Sequence, residues 1–309
     1  MAKCFITKLN GSVSNMYIPK IGEMKLSFPK GDNQTQYTRV VSITLGVDTK
    51  VRVVGGYFTD ATLTSNLGTE LNAVAGTPLK IILSNTDCTV FVGEKYSIVK
   101  IDGSNWDGSK VVPTVLGFSL DELSYSNVIQ SLAITQSKVY GDISALKNAS
   151  NLIILNLNDN PDVTGDISAL ANKPNLENIY LTNTCTYGNV EGLVSNNLLK
   201  SISLGNGWAT GDLSKMQSSV NNISCGNNCN FTWKGERSST SPIISITNVA
   251  ANFGDDLDTM LINQAKCKAS TASSKVILVK GNKTAASDNA ISELQSKGYT
   301  VSYKRIIIR

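Results

Sequence analysis

Hydrophobic residues recur in a regular pattern from about residue 128 onward. In each repeat two apolar residues flank one other residue, and a glycine follows in the next turn. The glycines at 141, 165, 188 and 211 are 24, 23 and 23 residues apart. A fixed period of this length predicts a solenoid of stacked coils. The apolar pairs are Leu132/Ile134, Leu155/Leu157, Ile179/Leu181 and Ile202/Leu204, with weaker copies at Ile223/Cys225 and Ile244/Ile246.

Each of these glycines opens a second repeated phrase. We expect every apolar pair to form a short strand with both large side chains inward, and the aliphatic residues of the phrase to fill the other side of the coil. This pattern resembles leucine-rich repeat proteins, in which such coils stack into a parallel ladder. The phrase is Gly-Asp-Ile-Ser-Ala-Leu at 141–146 and 165–170, Gly-Asn-Val-Glu-Gly-Leu at 188–193 and Gly-Asp-Leu-Ser-Lys-Met at 211–216.

One repeat position departs from that resemblance. The asparagine usual after the second strand residue is present at Asn160 and Asn228, whereas Ser137, Thr184 and Gly207 stand at matching places. The departure predicts irregular turns within the same fold.

The first 115 residues have a different pattern. Short β-prone runs alternate with turn residues such as Asn10-Gly11 and Gly55-Gly56, which is typical of a small sandwich or barrel. Asp102–Lys110, with two glycines, is the predicted hinge to the solenoid. The seven runs are Cys4–Leu9, Lys25–Phe28, Arg39–Leu45, Lys50–Val54, Leu79–Leu83, Cys88–Val92 and Tyr96–Ile101.

The repeat length breaks after residue 247. The spacing predicts a helix over Asp255–Lys268, a strand over Lys275–Lys280, a second helix capped by Ser287 and ended by Gly298, and a closing strand over Tyr299–Ile308. We expect these larger α/β coils, from about residue 248, to cap the open end of the solenoid. The predicted protein is thus β-rich, with a sandwich- or barrel-like N-terminal domain (1–115) and a leucine-rich repeat solenoid (116–309).

The amino-acid composition argues against several classes of function. Histidine is absent, which excludes a Ser–His or Cys–His nucleophile and a His-ligated zinc. The 28 basic and 24 acidic residues are evenly spread, so we expect no nucleic-acid partner. No apolar run approaches the roughly 18 residues of a membrane span, and Lys8 interrupts the apolar core that a signal peptide needs. We therefore expect synthesis in the cytoplasm, with free thiols and without membrane insertion.

Two groups of residues suggest chemistry. Cys225 and Cys229 fall on inward repeat positions, so buried reduced thiols are favoured over a disulfide or a metal site, which would need further ligands. Asp142, Asp166 and Asp212 should stack one per coil, and capping a helical turn is favoured over calcium binding or acid–base work. We predict no catalytic residue, no cofactor and no metal.

The outward strand positions form a candidate ligand-binding surface. They are neutral and rich in hydroxyl and amide groups, and large aromatic rings lie among them or in adjacent turns. Such a surface suits a glycan or a protein, and a solvated face without a ligand is the third option. The candidate residues are Asn156, Asn158, Asn178, Tyr180, Thr182, Ser203, Trp208 and Trp233.

Several phrases are similar to leucine-rich repeat proteins of gut Bacteroidetes and their phages. They are Gly56–Asp60, Asn66–Thr69, the Gly-Asp-Ile-Ser-Ala-Leu unit, Ala286–Asp288 and Leu294–Val301. The resemblance implies a surface or virion component without enzymatic activity. On the phage side it implies a capsid, tail-fibre or decoration protein in the virion. Its N-terminal domain would dock to other virion proteins, and its repeats would adhere to host-surface glycan or protein.

Two alternatives stay open. One is a bacterial leucine-rich repeat module for protein interaction or surface adhesion. The other is a glycan-processing enzyme, which would need two nearby carboxylates. Glu177 and Glu191 are the only glutamates in the four clear coils, so the pattern disfavours it. A homo-oligomer is compatible with each hypothesis.

Overall fold

The N-terminal part forms two antiparallel ladders. The computed structural model describes residues 23–28, 39–54, 56–59, 70–83, 88–106, 111–113, 116–204, 208–226, 228–271 and 274–305. One ladder has the order β5-β3-β7-β1 and the other β4-β6-β2-β8. The strands are β1 Met24–Phe28, β2 Arg39–Leu45, β3 Thr49–Val54, β4 Gly56–Thr59, β5 Glu70–Ala73, β6 Leu79–Leu83, β7 Cys88–Val92 and β8 Ile98–Asp102.

Five of the seven predicted strands are present with bounds shifted by at most one residue. The sixth is shorter than predicted, because Lys95–Ser97 forms a 3-10 turn before β8 begins. The predicted Cys4–Leu9 run and the phrase Asn66–Thr69 lie outside the described residues. Strands β4 and β5 were not predicted, and the sandwich or barrel stays a prediction.

The N-terminal strands join the solenoid by continuous β-pairing. A short hairpin of β9 (Ser104–Trp106) and β10 (Val111–Pro113) follows β8. Strand β8 pairs in parallel with β12 (Ser131–Ala133), and β11 (Gly117–Ser119) pairs with β1 on one side and β13 (Lys138–Asp142) on the other. Residues 107–110 of the expected hinge lie outside the described residues, so the hinge stays a prediction.

The repeated apolar pairs form the first parallel ladder. Their inward side chains, including Leu155, Ile179 and Ile202, are fully buried in one continuous core. This parallel, strand-rich architecture resembles a leucine-rich repeat solenoid, as the period predicts. The strands after β12 are β14 Ile154–Asn156, β16 Asn178–Tyr180, β18 Ser201–Leu204, β20 Asn222–Cys225 and β22 Ser245–Gly254.

A second parallel ladder runs through the glycine phrases. The sequence pattern did not predict it, because its strands combine single buried residues with glycine and polar groups. A 3-10 turn follows each of its first four strands, at Ile143–Asn148, Ile167–Leu170, Val190–Leu193 and Leu213–Lys215. After β13 the strands are β15 Val163–Asp166, β17 Cys185–Asn189, β19 Trp208–Asp212 and β21 Asn230–Thr232.

The repeated Gly-Asp pair holds consecutive coils together. Asp142 Oδ1 accepts a hydrogen bond from Ser144 N at 2.7 Å and so caps the first 3-10 turn. Gly165 of the next coil lies against this carboxylate with φ +114°, where a Cβ would overlap Asp142 Oδ1. Asp166, Asn189 and Asp212 repeat the cap. The capping role predicted for the aspartates is confirmed, and the asparagine at 189 serves it equally.

Side chains also cap the opposite ends of these turns across coils. The buried Lys173 donates from Nζ to Leu146 O at 2.8 Å and Lys147 O at 3.1 Å. Burial lowers the pKa of Lys173 to about 8. Arg237 likewise donates to Met216 O at 2.7 Å, one coil before it. These donors satisfy carbonyl groups that a helical turn leaves without partners.

Two helices and two strands follow β22 near the predicted places, and their role as a cap of the solenoid stays a prediction. Helix α1 spans Leu257–Lys266, β23 spans Val276–Gly281, α2 spans Asp288–Ser296 and β24 spans Thr300–Arg305. Residues 306–308 of the predicted last strand lie outside the described part.

The predicted cap of the second helix is right in position and wrong in its hydrogen bond. Ser287 occupies the N-cap position of α2, but its hydroxyl donates to Asp258 Oδ1 at 2.6 Å and not to the helix. The Asp258 carboxylate also accepts from Thr284 N at 3.0 Å, so it ties α1 to the next coil. None of the helices within the described ranges has the length and apolar character needed to cross a membrane.

Candidate ligand-binding surface

The outward side of the first ladder presents two rows of uncharged residues. Because side chains alternate along a strand, the residues beside each buried central residue point away from the core. Ser245 on β22 is nevertheless fully buried, and its hydroxyl donates to Ser274 O at 2.6 Å. The rows follow the parallel register across six strands. One row is Ser131, Ile154, Asn178, Ser201, Asn222 and Ser245, and the other is Ala133, Asn156, Tyr180, Ser203, Ser224 and Thr247.

Five of the predicted site residues lie together on this first-ladder face. Asn156, Asn178 and Tyr180 occupy its rows, and Asn158 and Thr182 follow in the adjoining turns; all five are half-buried. Ser203 also lies in a row, but only 6% of its surface is exposed, which makes it a support for its neighbours rather than a contact.

The two predicted tryptophans lie elsewhere. Trp233 is 1% exposed, because the inward alternation of β21 continues through Phe231 to it. Its predicted place at the surface is therefore wrong. Trp208 is 67% exposed, but it begins β19 and belongs to the second ladder, away from Tyr180. Both errors have one cause, since the positions assigned to turns form the second ladder.

Hydrogen bonds fix the polar side chains of the first-ladder face. Tyr180 OH donates to Asn178 Oδ1 at 3.3 Å, and Asn158 Oδ1 accepts from Thr182 N at 2.7 Å. The hydroxyls of Thr182 and Ser203 lie 2.5 Å apart. Side chains held in this way lose less conformational entropy when a ligand binds.

Charged groups continue the two rows at one end, because Lys100 and Asp102 of β8 pair in register with Ser131 and Ala133. Two ion pairs lie farther along the solenoid. Glu177 pairs with Lys200 at 2.9 Å. Glu191 pairs with Lys215 at 2.6 Å and accepts from Asp212 N at 3.1 Å. The hydrogen bond from Lys215 lowers the pKa of the Glu191 carboxyl below its usual value. Both glutamates thus hold neighbouring coils together.

The cysteine pair is buried, as predicted. Cys225 and Cys229 are free thiols with 0% and 1% exposure. The hydrogen bond that Cys225 gives to Cys229 lowers the pKa of Cys229 to about 7 and raises that of Cys225. Among the residues that the structure describes, no three His, Cys, Asp or Glu side chains converge in a way that could hold a metal ion.

An open groove of about 820 Å³ lies where the N-terminal strands meet the first coil. Sequence reasoning missed it, because its walls come from segments far apart in the chain. Charges of both signs line it, together with one exposed ring: Lys25, Lys138, Glu122, Asp162 and Tyr140.

Comparisons with known proteins assign the chain to no family. No protein-family model matches it, and no curated protein matches it. Among solved structures, the leucine-rich repeat ectodomain of the Arabidopsis thaliana receptor kinase GASSHO1/SCHENGEN3, crystallised with CASPARIAN STRIP INTEGRITY FACTOR 2, is 14% identical with a TM-score of 0.43. That alignment covers 67% of this chain and 24% of the ectodomain, so the chain spans about a quarter of that protein.

Two further solved structures are similar to this chain with low sequence identity. PEPR1, in its structure with AtPEP1, is 16% identical with a TM-score of 0.38 over 67% of this chain and 35% of that one. The BIR3–SERK2 complex from Arabidopsis thaliana gives 16% identity and a TM-score of 0.28 over 40% of this chain and 77% of that one.

Proposed function

We propose that this protein is a non-enzymatic recognition module that binds a macromolecular ligand through the first-ladder face. The observation that carries the proposal is the pair of uncharged rows, in which Asn156, Asn178 and Tyr180 lie side by side on neighbouring strands. Amides and a phenol ring provide hydrogen bonds and apolar contact without ionic attraction, which suits specific adhesion.

The chemistry of this face supports a proposal of binding without turnover. Across its six strands the two rows contain hydroxyl groups but no carboxylate, amine or imidazole beside them, so the bases that commonly activate a hydroxyl nucleophile are missing from the rows. The internal hydrogen bonds of Asn158, Asn178 and Thr182 also favour a rigid, ready-made surface.

The more specific proposal is a phage virion protein. It rests on the sequence resemblance to leucine-rich repeat proteins of gut Bacteroidetes and their phages. In this proposal the N-terminal β-domain (1–115) docks to other virion proteins, and the solenoid (116–309) is displayed for adhesion to host-surface glycan or protein. Mass spectrometry of purified particles tests it: the protein is expected in the virion, and its absence from particles contradicts this assignment.

A binding assay on cells tests the recognition function itself. Labelled full-length protein is titrated on intact Bacteroidetes cells with and without capsule, and Tyr180→Ala and Asn178→Ala are compared with the wild type. We expect each substitution to weaken binding about tenfold, as loss of a central aromatic or amide contact does. The matched control is Tyr140→Ala, since Tyr140 is 52% exposed but lies in the second ladder. Equal binding by all four proteins would contradict the proposal.

A further inference from the structure

The second ladder carries two exposed aromatic side chains in adjacent places. Tyr187 on β17 and Trp208 on β19 are paired in register, and they are 48% and 67% exposed. Their chain neighbours Thr186 and Ala209 are buried, so both rings lie on the outward side. Adjacent strands are about 4.8 Å apart, which places the two rings side by side. We call Tyr187 and Trp208 the aromatic platform.

Neutral polar groups surround the aromatic platform. Thr164 and Cys185 are paired in register on one side of it, and Thr210 and Asn230 are paired on the other. All four are exposed. Asn230 Oδ1 accepts a hydrogen bond from Asn252 Nδ2 at 2.7 Å, which orients this amide at the edge of the platform.

One carboxylate lies close to the platform and is already engaged. Asp166 is paired in register with Tyr187. Its Oδ1 accepts from Ser168 N at 2.8 Å, as the cap of the 3-10 turn, and lies against Gly188 of the next coil. The carboxylate therefore serves the stacking of coils, and the exposed groups around the two rings are uncharged.

We infer that the aromatic platform is a binding site for a neutral glycan chain. A sugar ring has an apolar C–H face, which packs on an aromatic ring, and a rim of hydroxyls, which pair with uncharged donors and acceptors such as Thr210 and Asn230. Exposed apolar surface rimmed by polar groups is typical of a binding site. This site goes beyond the proposed function, because it lies in a different ladder from Tyr180.

The charge and size of the aromatic platform favour a neutral glycan over a nucleic acid or a protein as its ligand. A nucleic acid requires lysine or arginine against its phosphates, and the described residues paired in register around the two rings include neither. A stable protein interface needs about 800 Å² on each partner, far more than two rings and their neighbours provide. A short stretch of neutral sugar rings matches both the area and the lack of charge.

The reactivity of Cys185 can show whether a ligand occupies the aromatic platform. It is exposed and lies two residues before Tyr187 on the same outward side of β17. The other cysteines in the described ranges are buried: Cys88, Cys225, Cys229 and Cys267. Alkylation of Cys185 by iodoacetamide, quantified on its own peptide by mass spectrometry, should therefore slow when a ligand covers the aromatic platform.

The test titrates full-length protein with neutral oligosaccharides of glucose, mannose, galactose and xylose, with polygalacturonate and single-stranded DNA as charged probes. Calorimetry gives the affinity, and alkylation of Cys185 locates the ligand. We expect a neutral oligosaccharide to bind and to slow the alkylation. Trp208→Ala and Tyr187→Ala should each weaken binding about tenfold, whereas Trp208→Phe, which keeps a ring, should retain most of it.

A matched control separates this site from other exposed rings. Tyr140→Ala removes an exposed ring elsewhere in the second ladder and should change glycan affinity less than about twofold. Failure of all neutral probes to bind at millimolar concentration overturns the inference, as does binding that both platform variants leave unchanged or a preference for a charged probe. Each of these results leaves the cell-binding test of Tyr180 standing.

Discussion

Replacing Gly165 with alanine tests how the coils of the solenoid stack. Gly165 has φ +114°, a conformation that strains any residue with a Cβ, and its Cβ would overlap Asp142 Oδ1 and lie 3.0 Å from Ile143 Cγ1. Gly141 stands at the same repeat position with φ +109°, but the nearest atoms to its Cβ are 3.5 Å away. Gly141→Ala therefore measures the backbone strain alone.

The two substitutions should differ by the energy of the cap. Backbone strain costs about 1–3 kcal/mol in either variant. In Gly165→Ala the methyl group must also displace the Asp142 carboxylate from Ser144 N, which it contacts at 2.7 Å. Loss of such a cap costs about 0.5–2 kcal/mol. Gly165→Ala should therefore destabilise the protein by about 0.5–2 kcal/mol more than Gly141→Ala does.

Urea unfolding followed by circular dichroism measures both effects. The double variant Asp142→Ala/Gly165→Ala adds a decisive comparison, because it removes the oxygen atom that the new methyl group would meet. We expect the double variant to be more stable than the sum of its single effects implies. Equal losses in Gly141→Ala and Gly165→Ala, or strict additivity in the double variant, would refute this account of the repeated Gly-Asp pair.

Three further predictions concern buried groups, each checked by urea unfolding. The pKa of Lys173 is about 8 in the folded protein and 10.5 in the unfolded chain. The free energy of unfolding should therefore rise by about 1–3 kcal/mol between pH 8 and 10.5, and Lys173→Met should abolish this rise. Asn160→Ala should lower the free energy of unfolding by about 2–4 kcal/mol, because Asn160 accepts a hydrogen bond from Val139 N and donates one to Ile134 O. A smaller decrease than the one caused by Asn158→Ala, at a half-buried position, would contradict this prediction. Trp233→Ala should cost about 3–5 kcal/mol, whereas exposed Trp208→Ala should stay within about 0.5 kcal/mol.

The first ladder was predictable because its signal is local. Leu155 and Leu157 alternate with polar residues at period two, and the same pattern returns one coil later, so the strand and its inward face follow from the sequence. The capping role of Asp142 was predictable for the same reason, since a cap is decided within a few residues.

The second ladder was not predictable from such local patterns. Its strand Cys185–Asn189 contains a glycine and exposed polar residues, and it is extended because it pairs with the coils before and after it. The placement of Trp208 and Trp233 depends on that ladder and was missed with it. The contact of Lys173 with carbonyls 26 and 27 residues earlier is likewise set by the stacking of coils.

Hydroxyl-radical footprinting tests the central claim most directly, namely that the outward face of the first ladder recognises a ligand. The full-length protein is oxidised alone and when bound to a Bacteroidetes envelope fraction, and the oxidation of each aromatic side chain is quantified by mass spectrometry. The account predicts that Tyr180 becomes protected while Tyr140 does not. A ligand that binds and leaves Tyr180 as reactive as in the free protein would contradict it.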